Sequence, residues 1–574
     1  MTEGGFGYGF IPPEFLPQGK DEFYLRNEEA PPRPWRALSA GEKKVLLENG
    51  NYAPDWDDFL VSDPFDPGLI HNSGFYGLVR LGPLTNTVIR HHDFALPSGI
   101  RNSMIVSSDI GSDCAIYDCP YLSHYIIGDR VILSRIDEMQ TTNHAKFGNG
   151  VLASGESEDV RVWIDVMNEA GGRSVLPFDG MISADAFLWA AFRDDRTLTE
   201  ALKDLTQKQY GVKRGRYGTV GNRAVIKSCR IIKDCAIGDY AYIKGANKLK
   251  NLTINSSGDE ATQIGEGVEL VNGIIGFGCH VFYGVKAVRF VMGSNSSLKY
   301  GARLIHSVLG DNSTVSCCEI LNNLIFPVHE QHHNNSFLVA ALIQGLSNMA
   351  AGATIGSNHN SRANDGEIRA GRGFWPGLSV TLKHSSRFAS FILISKGDYA
   401  HEMDIPLPFS LVNHNVKHDR VEIMPAYFWM YNMYALERNS WKAKSRDRRK
   451  KKIQYIETAY LAPDTAEEII TARELLSAWI AEAGPDSETR DGVTVTGLER
   501  HKRKQLILKP RQALDAYTSM LRYYVFNTFA EYLFGHRELD FASFMDLAST
   551  LGVERVKTWV NMGGQIVPAF RVDR

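Results

Sequence analysis

His329-Glu330-Gln331-His332-His333-Asn334-Asn335 places three histidines within five residues, beside one carboxylate and two carboxamides. Histidine is the side chain whose ordinary pKa lies nearest neutrality, so it can take a proton from an amine or hydroxyl. A neighbouring carboxylate or carboxamide can fix its ring. On this chemistry His329, His332 and His333 are candidate general bases and Glu330 their orienting group, with Asn334 and Asn335 as candidate ligand contacts. The competing reading is a hydrogen-bonded polar ladder containing one satisfied interior histidine. A second polar run, Asn358 to Glu367, carries His359, Asn360, Arg362 and Asn364. These suit an anionic or sugar-like ligand, and a plain surface loop is the equal alternative.

The frame that must hold these side chains is written in the glycines. The chain has 574 residues and 51 glycines, about 9% against a usual ~7%. Many follow a large aliphatic residue, and several such pairs stand 17 apart. Ile110-Gly111 precedes Ile127-Gly128, and Val220-Gly221 precedes Ile237-Gly238. Ile275-Gly276, Met292-Gly293 and Leu309-Gly310 follow in series. Inside these units apolar residues recur at steps of six, as in Ile275, Val281, Ala287 and in Leu309, Val315, Leu321. Six matches neither the helical period nor strand alternation. It suits a coil with three short sides, each offering one inward residue, with Gly, Asn and Ser at the corners. Stacked coils pair their backbone edges and bury the aliphatic columns, which makes a parallel β-helix.

Residues 17 apart should then stack as neighbours. One outward column reads Asn295, Asn312, His329. A second reads Ser296, Ser313, Glu330, Ser347, and a third reads His280, Ser297, Thr314, Gln331, Asn348. A fourth includes Lys299, Ser316 and His333, while His332 falls inward between Val315 and Met349. Elsewhere on the coil Val291, Val308, Ile325 and Leu342 form an outward apolar column. A strand apolar on both faces is normally covered, which predicts a cover from the helical parts or from another subunit. Zinc accepts three histidines with an open fourth position. It is the weaker reading, because His359 lies two coils on and sideways from His329, at over ~10 Å.

The pattern over roughly residues 81–145 and 216–400 resembles the hexapeptide-repeat family. That resemblance implies a left-handed, three-sided coil of 17–18 residues in a mainly β chain. It also implies a histidine base, an acyl-CoA cosubstrate and a trimer; a monomer or dimer is the alternative if the helical additions cover the shared surface. Some relatives of that class are zinc enzymes, and in others the β-helix is an appendage to a nucleotidyltransferase domain. Over its whole length, and especially at His329–Asn335 and Ser357–Arg372, the chain looks like an uncharacterised bacterial family sometimes labelled glucose-1-phosphate thymidylyltransferase. The glycines near the N-terminus lack the basic residue of a nucleotide-binding loop, and no α/β domain fits before residue 81.

The remaining organisation is read as an irregular N-terminal cap over 1–80, a helical insertion over 146–215 and a helical C-terminal region over 401–574. Within the insertion Asp159–Asn168 and Ala184–Gln209 are expected as helices. Two basic loops there and beyond, Asn168–Arg173 and Lys244–Lys248, are turns or phosphate cradles. The cationic run Arg446–Lys452 is expected as a solvated face. Asp464 and Glu467 are expected to cap one C-terminal helix, and a second is expected over Arg511–Leu533. A net charge of −3 gives no footprint for nucleic acid. No apolar run approaches the ~20 residues that cross a bilayer. Seven cysteines without a C-x-x-C pair fit a reduced, cytoplasmic setting. The expectation is an enzyme of sugar or sugar-nucleotide metabolism, acyl transfer foremost, with a sugar-like small-molecule substrate. A non-catalytic binding or scaffold protein and a sugar-phosphate nucleotidyltransferase are the alternatives.

Overall fold

A computed structural model describes residues 5–357, 366–484, 492–536, 540–550 and 555–572. Its centre is a parallel β-solenoid of about 20 turns. Successive coils lie in register. His280 sits beside Ser297, Ser297 beside Thr314, and Lys286–Met292 runs along Arg303–Leu309. The inward side chains Val281, Ala287, Met292, Leu298, Leu304 and Leu309 are at most 1% exposed. Each buried Val, Leu or Ile contributes about 1.5–3 kcal/mol, so the stacked columns make one continuous core.

The register slips at the coil that carries the histidines. Lys299 still pairs with Ser316, 17 residues on, but Arg303 pairs with Glu319 and Leu309 with Ile325, only 16 on. The earlier corners at this position, Tyr283-Gly284 and Tyr300-Gly301, have positive φ at both residues. The matching corner is the shorter Cys317-Cys318, without a glycine. From there the inward residues are Ile320, Ile325 and Gln331, where Leu321, Phe326 and His332 were expected. A slip of one residue exchanges the two faces of a strand. His329 therefore joins the buried Ser296, Ser313, Ser347 column, and Glu330 joins the outward His280, Ser297, Thr314, Asn348 column.

The outward apolar column is Ile274, Val291, Val308, Leu324 and Leu342, with Leu324 in the place expected for Ile325. The insertion covers it with Val166, Met167, Val175 and Trp189. Asn322, at the positive-φ corner just after Leu321, ties the cover down. Its Nδ2 donates to Asp165 O at 2.7 Å, and its carbonyl accepts Met167 N–H at 2.8 Å. The insertion leaves the solenoid after Gln140 and returns at Gly218. Where one helix was expected over Ala184–Gln209 there are two, Ser183–Ala191 and Arg196–Tyr210, the second capped by Asp195. The segment expected as a helix over Asp159–Asn168 is a single 3-10 turn and a short strand. Asn168–Arg173 is a turn in which Asn168 Oδ1 accepts Ala170 N–H, with Arg173 bound to Glu367. In the other basic loop Lys244 is paired with Glu266 at 2.9 Å.

Solenoid strands begin inside the segment expected as an irregular cap: Phe59–Val61 pairs with Val79–Leu81, which pairs with Asp109-Ile110. At the far end the C-terminal region mixes strands with helices. Leu393-Ile394 pairs in parallel with Leu411-Val412, and Leu411–Asn415 then pairs antiparallel with Arg420–Met424. That hairpin occupies the edge of the last coil, which would otherwise offer unpaired N–H and C=O groups. The helices Pro463–Ala483 and Pro510–Gly535 pack Ile469, Leu476, Ala513 and Tyr517 onto the same core. Asp464, expected as a helix cap, instead forms a two-pronged pair with Arg372, 2.8 Å at each contact. No helix is long and apolar enough to cross a membrane among the described residues.

Candidate functional site

The outward polar columns do not face open solvent. The helix Met433–Arg446 and the segment after it lie along them and roof a cleft of about 390 Å³. The floor steps through the register His280, Ser297, Thr314, Glu330, Asn348, and Asn348 N–H then donates to Phe374 O beside Trp375. Five steps at about 4.8 Å make the cleft about 24 Å long. Its two ends differ. The early coils and the segment above them supply His280, Lys299 and Arg448, while the late coils and the roof supply Trp375, Phe391, Phe428 and Tyr460.

The roof is anchored by ion pairs. Glu330 accepts from Lys442 Nζ at 2.5 Å and from Arg446 Nη1 at 2.8 Å. The next residues descend onto the solenoid. Asn312 Nδ2 donates to Asp447 Oδ1 at 3.1 Å, and Arg449 binds Asp311 at 2.7 Å and Asp447 at 2.9 Å. Lys450 N–H donates to Glu260 Oε1 at 2.8 Å, and Lys451 lies 5.2 Å from the centre of the Phe277 ring. In the run Arg446–Lys452, expected as a solvated face, Arg446, Arg448 and Lys450–Lys452 are exposed, but Arg449 is buried and the run is also the strap that closes the cleft. Its acidic partners, Asp311 and Glu330, lie more than a hundred positions away.

Among the described residues four cations line this space, namely Lys299, Lys442, Arg446 and Arg448, against the single carboxylate of Glu330. His280 is half-buried on the floor. Burial lowers its pKa from the ordinary value, and the charges of Lys299 and Arg448 lower it further. It is therefore neutral at pH 7, with a free ring nitrogen able to accept a proton. Sequence reasoning placed His280 in the right column but passed over it as a base. Its signal was its place in the outward polar column beside Ser297, not any local cluster.

The histidine cluster is split by the register slip. His329 is 0% exposed. Gln331 Nε2 donates to Ser336 Oγ, which turns Gln331 Oε1 toward His329 Nε2 at 3.1 Å; His329 Nδ1 then accepts the Ser347 hydroxyl at 2.8 Å. Burial pushes its pKa down to about 4. His332 and His333 are exposed, with ring centres 4.4 Å apart and planes tilted by 44°; neither lines the cleft. Asn334 and Asn335 form the exposed turn that follows. Of the first cluster only Glu330 reaches the cleft, and it holds the roof, not a histidine ring. His359, Asn360, Arg362 and Asn364 lie outside the described residues. Among the described residues no three His, Cys, Asp or Glu side chains converge as a metal-binding group.

A family model described as a domain of unknown function, DUF4954, matches residues 35–479. The chain belongs to that family. The DUF4954 region contains every residue of the cleft and its roof, so the site is a feature of the family's own domain and not of the C-terminal additions. An uncharacterized protein of Treponema pallidum (strain Nichols) is 55% identical over 588 residues, which cover 99% of this chain and 80% of the relative.

The interior histidine makes a pH prediction. Its folded pKa is about 4, while an unfolded histidine titrates near ~6.5. The stability it contributes is fully present above the unfolded value and is lost as pH falls toward 4, because the unfolded state binds the proton first. The full effect is on the order of 3 kcal/mol. The wild type should therefore lose stability between pH 7 and 4 more steeply than His329→Asn, as followed by thermal unfolding at stepped pH. Parallel curves would mean that His329 is not held neutral.

Proposed function

We propose that this DUF4954 protein is an enzyme acting on a sugar or sugar-nucleotide that lies along the cleft, with His280 as general base. The observation that carries the reading is the polarity of the cleft: a neutral histidine among cations at one end and aromatic rings at the other, about 24 Å apart. Lys299 and Arg448 suit a phosphoryl group as charge-assisted donors, and Trp375 and Tyr460 suit a base or another flat apolar group. The proposed reaction is acyl transfer. His280 takes the proton of an acceptor hydroxyl or amine, and the acceptor oxygen or nitrogen bonds to the carbonyl carbon of an acyl thioester. The C–S bond breaks, and the proton passes from His280 to the departing thiolate.

The proposal includes the finer architecture. Inward residues at Val281, Ala287, Met292 and again at Leu298, Leu304, Leu309 support a three-sided coil, and the likeness to hexapeptide-repeat proteins supports a left hand. Seven free cysteines, six of them buried, support a reducing, cytoplasmic setting.

Calorimetric titration tests the reading. Nucleoside diphosphates, sugar phosphates and acetyl-CoA are titrated into the wild type and into Lys299→Ala, at low and moderate salt. At least one phosphorylated ligand should bind, weaken about tenfold in the variant, a loss of ~1.4 kcal/mol, and weaken with salt. No binding by any of them would overturn the proposal. A ligand that binds without being turned over, in the presence or absence of acyl thioester, would favour the non-catalytic binding protein.

A further inference from the structure

Behind the strap lies a second cavity of about 430 Å³, which shares Asn312, Val328, Ala443 and Thr458 with the cleft. The two spaces therefore adjoin. The second is lined by Lys444, Lys452 and Gln454 as well as by the paired Asp447 and Arg449. Lys444 is exposed on the roof helix. Gln454 is 2% exposed, its Nε2 donates to Gly563 O at 3.3 Å, and its Oε1 is buried with no hydrogen-bond partner. A buried carbonyl oxygen left unpaired is destabilising, so a site that keeps one is suited to a ligand that donates to it.

We infer that the cleft and this cavity form one two-compartment site. Its ligand carries a phosphoryl group in the cleft and a second portion with an N–H or O–H donor, an amide or a hydroxyl, that reaches Gln454. The inference rests on the anionic-ligand reading of the cleft and adds the substrate class: a phosphorylated molecule with a polar, donor-bearing arm, in preference to a simple nucleotide or phosphate. Lys444 favours partial negative charge on that arm, while Lys452 is paired with Asp447 at 3.4 Å.

The experiment compares short and long ligands. Uridine, guanosine and thymidine diphosphates, and their N-acetylhexosamine conjugates, are titrated calorimetrically into the full chain and into Gln454→Met and Lys444→Ala. The methionine keeps the side-chain volume. Lys444 is exposed, so its replacement leaves the fold intact even if the first variant is unstable. A conjugate should bind the wild type more tightly than its parent diphosphate. Each variant should weaken the conjugate about five- to tenfold while changing the diphosphate less than twofold. Equal effects on both ligands, or no effect on the conjugate, would overturn the second compartment and leave the cleft standing. If none of the six ligands binds the wild type, the anionic reading falls and the second compartment falls with it.

Discussion

Arg449→Met should lower the thermal midpoint sharply and release the strap from the solenoid. Arg449 is 4% exposed and divides its donors among Asp311, Asp447 and the carbonyl of Gln454. Asp311 depends on it. Burial raises the pKa of that carboxyl, and the Arg449 charge with the Ser294 N–H works against the rise. Removing one partner of a buried, hydrogen-bonded ion pair costs about 3–5 kcal/mol, because the other is left buried without compensation. Two controls identify the cause. Adding Asp311→Asn should recover much of the loss, since the amide needs no counter-charge and the coupling of two touching residues is measurable in a double-mutant cycle. The deficit should also narrow as pH falls, because an acid with a raised folded pKa gains stability when it is protonated in the native state. Hydrogen exchange over residues 442–458 should accelerate in the single variant and return toward wild type in the double. An unchanged midpoint would show that the strap is not held by this pair.

His280→Asn should abolish most turnover while leaving ligand binding in place. A positioned general base is worth about 10²- to 10⁴-fold in rate, and asparagine keeps a polar side chain of similar reach without a titratable nitrogen. The loss should fall on kcat with KM little changed, since phosphate contacts are assigned to Lys299 and Arg448. The pH profile gives a second readout. Burial and the two neighbouring cations lower the His280 pKa, so the base form is complete at neutral pH and activity should fall only on an acid limb below the ordinary histidine range. That limb should vanish in the variant. Full turnover by His280→Asn with an identified substrate would remove His280 from the mechanism.

The roles of these two residues show how differently sequence and structure inform on this chain. The 17-residue recurrence of aliphatic-glycine pairs is a local, repeated signal, and a repeat constrains its own architecture: each coil must bury its inward residues on the next. From that alone came the parallel solenoid, the polar face and the need for a cover over Val291, Val308 and Leu342. The sites were harder to read for two physical reasons. The first is the period of two along a strand, which makes one missing residue exchange inside for outside. The absent glycine at Cys317-Cys318 is a local sign of it, and an uninterrupted 17-residue register would put His329 outside and His332 inside. The second is that charge pairing across a fold leaves no trace in spacing. Nothing in Arg446–Lys452 says that it will lie on Glu330, Asp311 and Glu260. The sequence by itself determined the repeat, its polar face and the presence of a covering element. Only the tertiary structure decided which histidine faces a cleft, which is sealed in the core, and what roofs the space between them, because those depend on the exact register of stacked coils and on contacts between residues far apart in the chain.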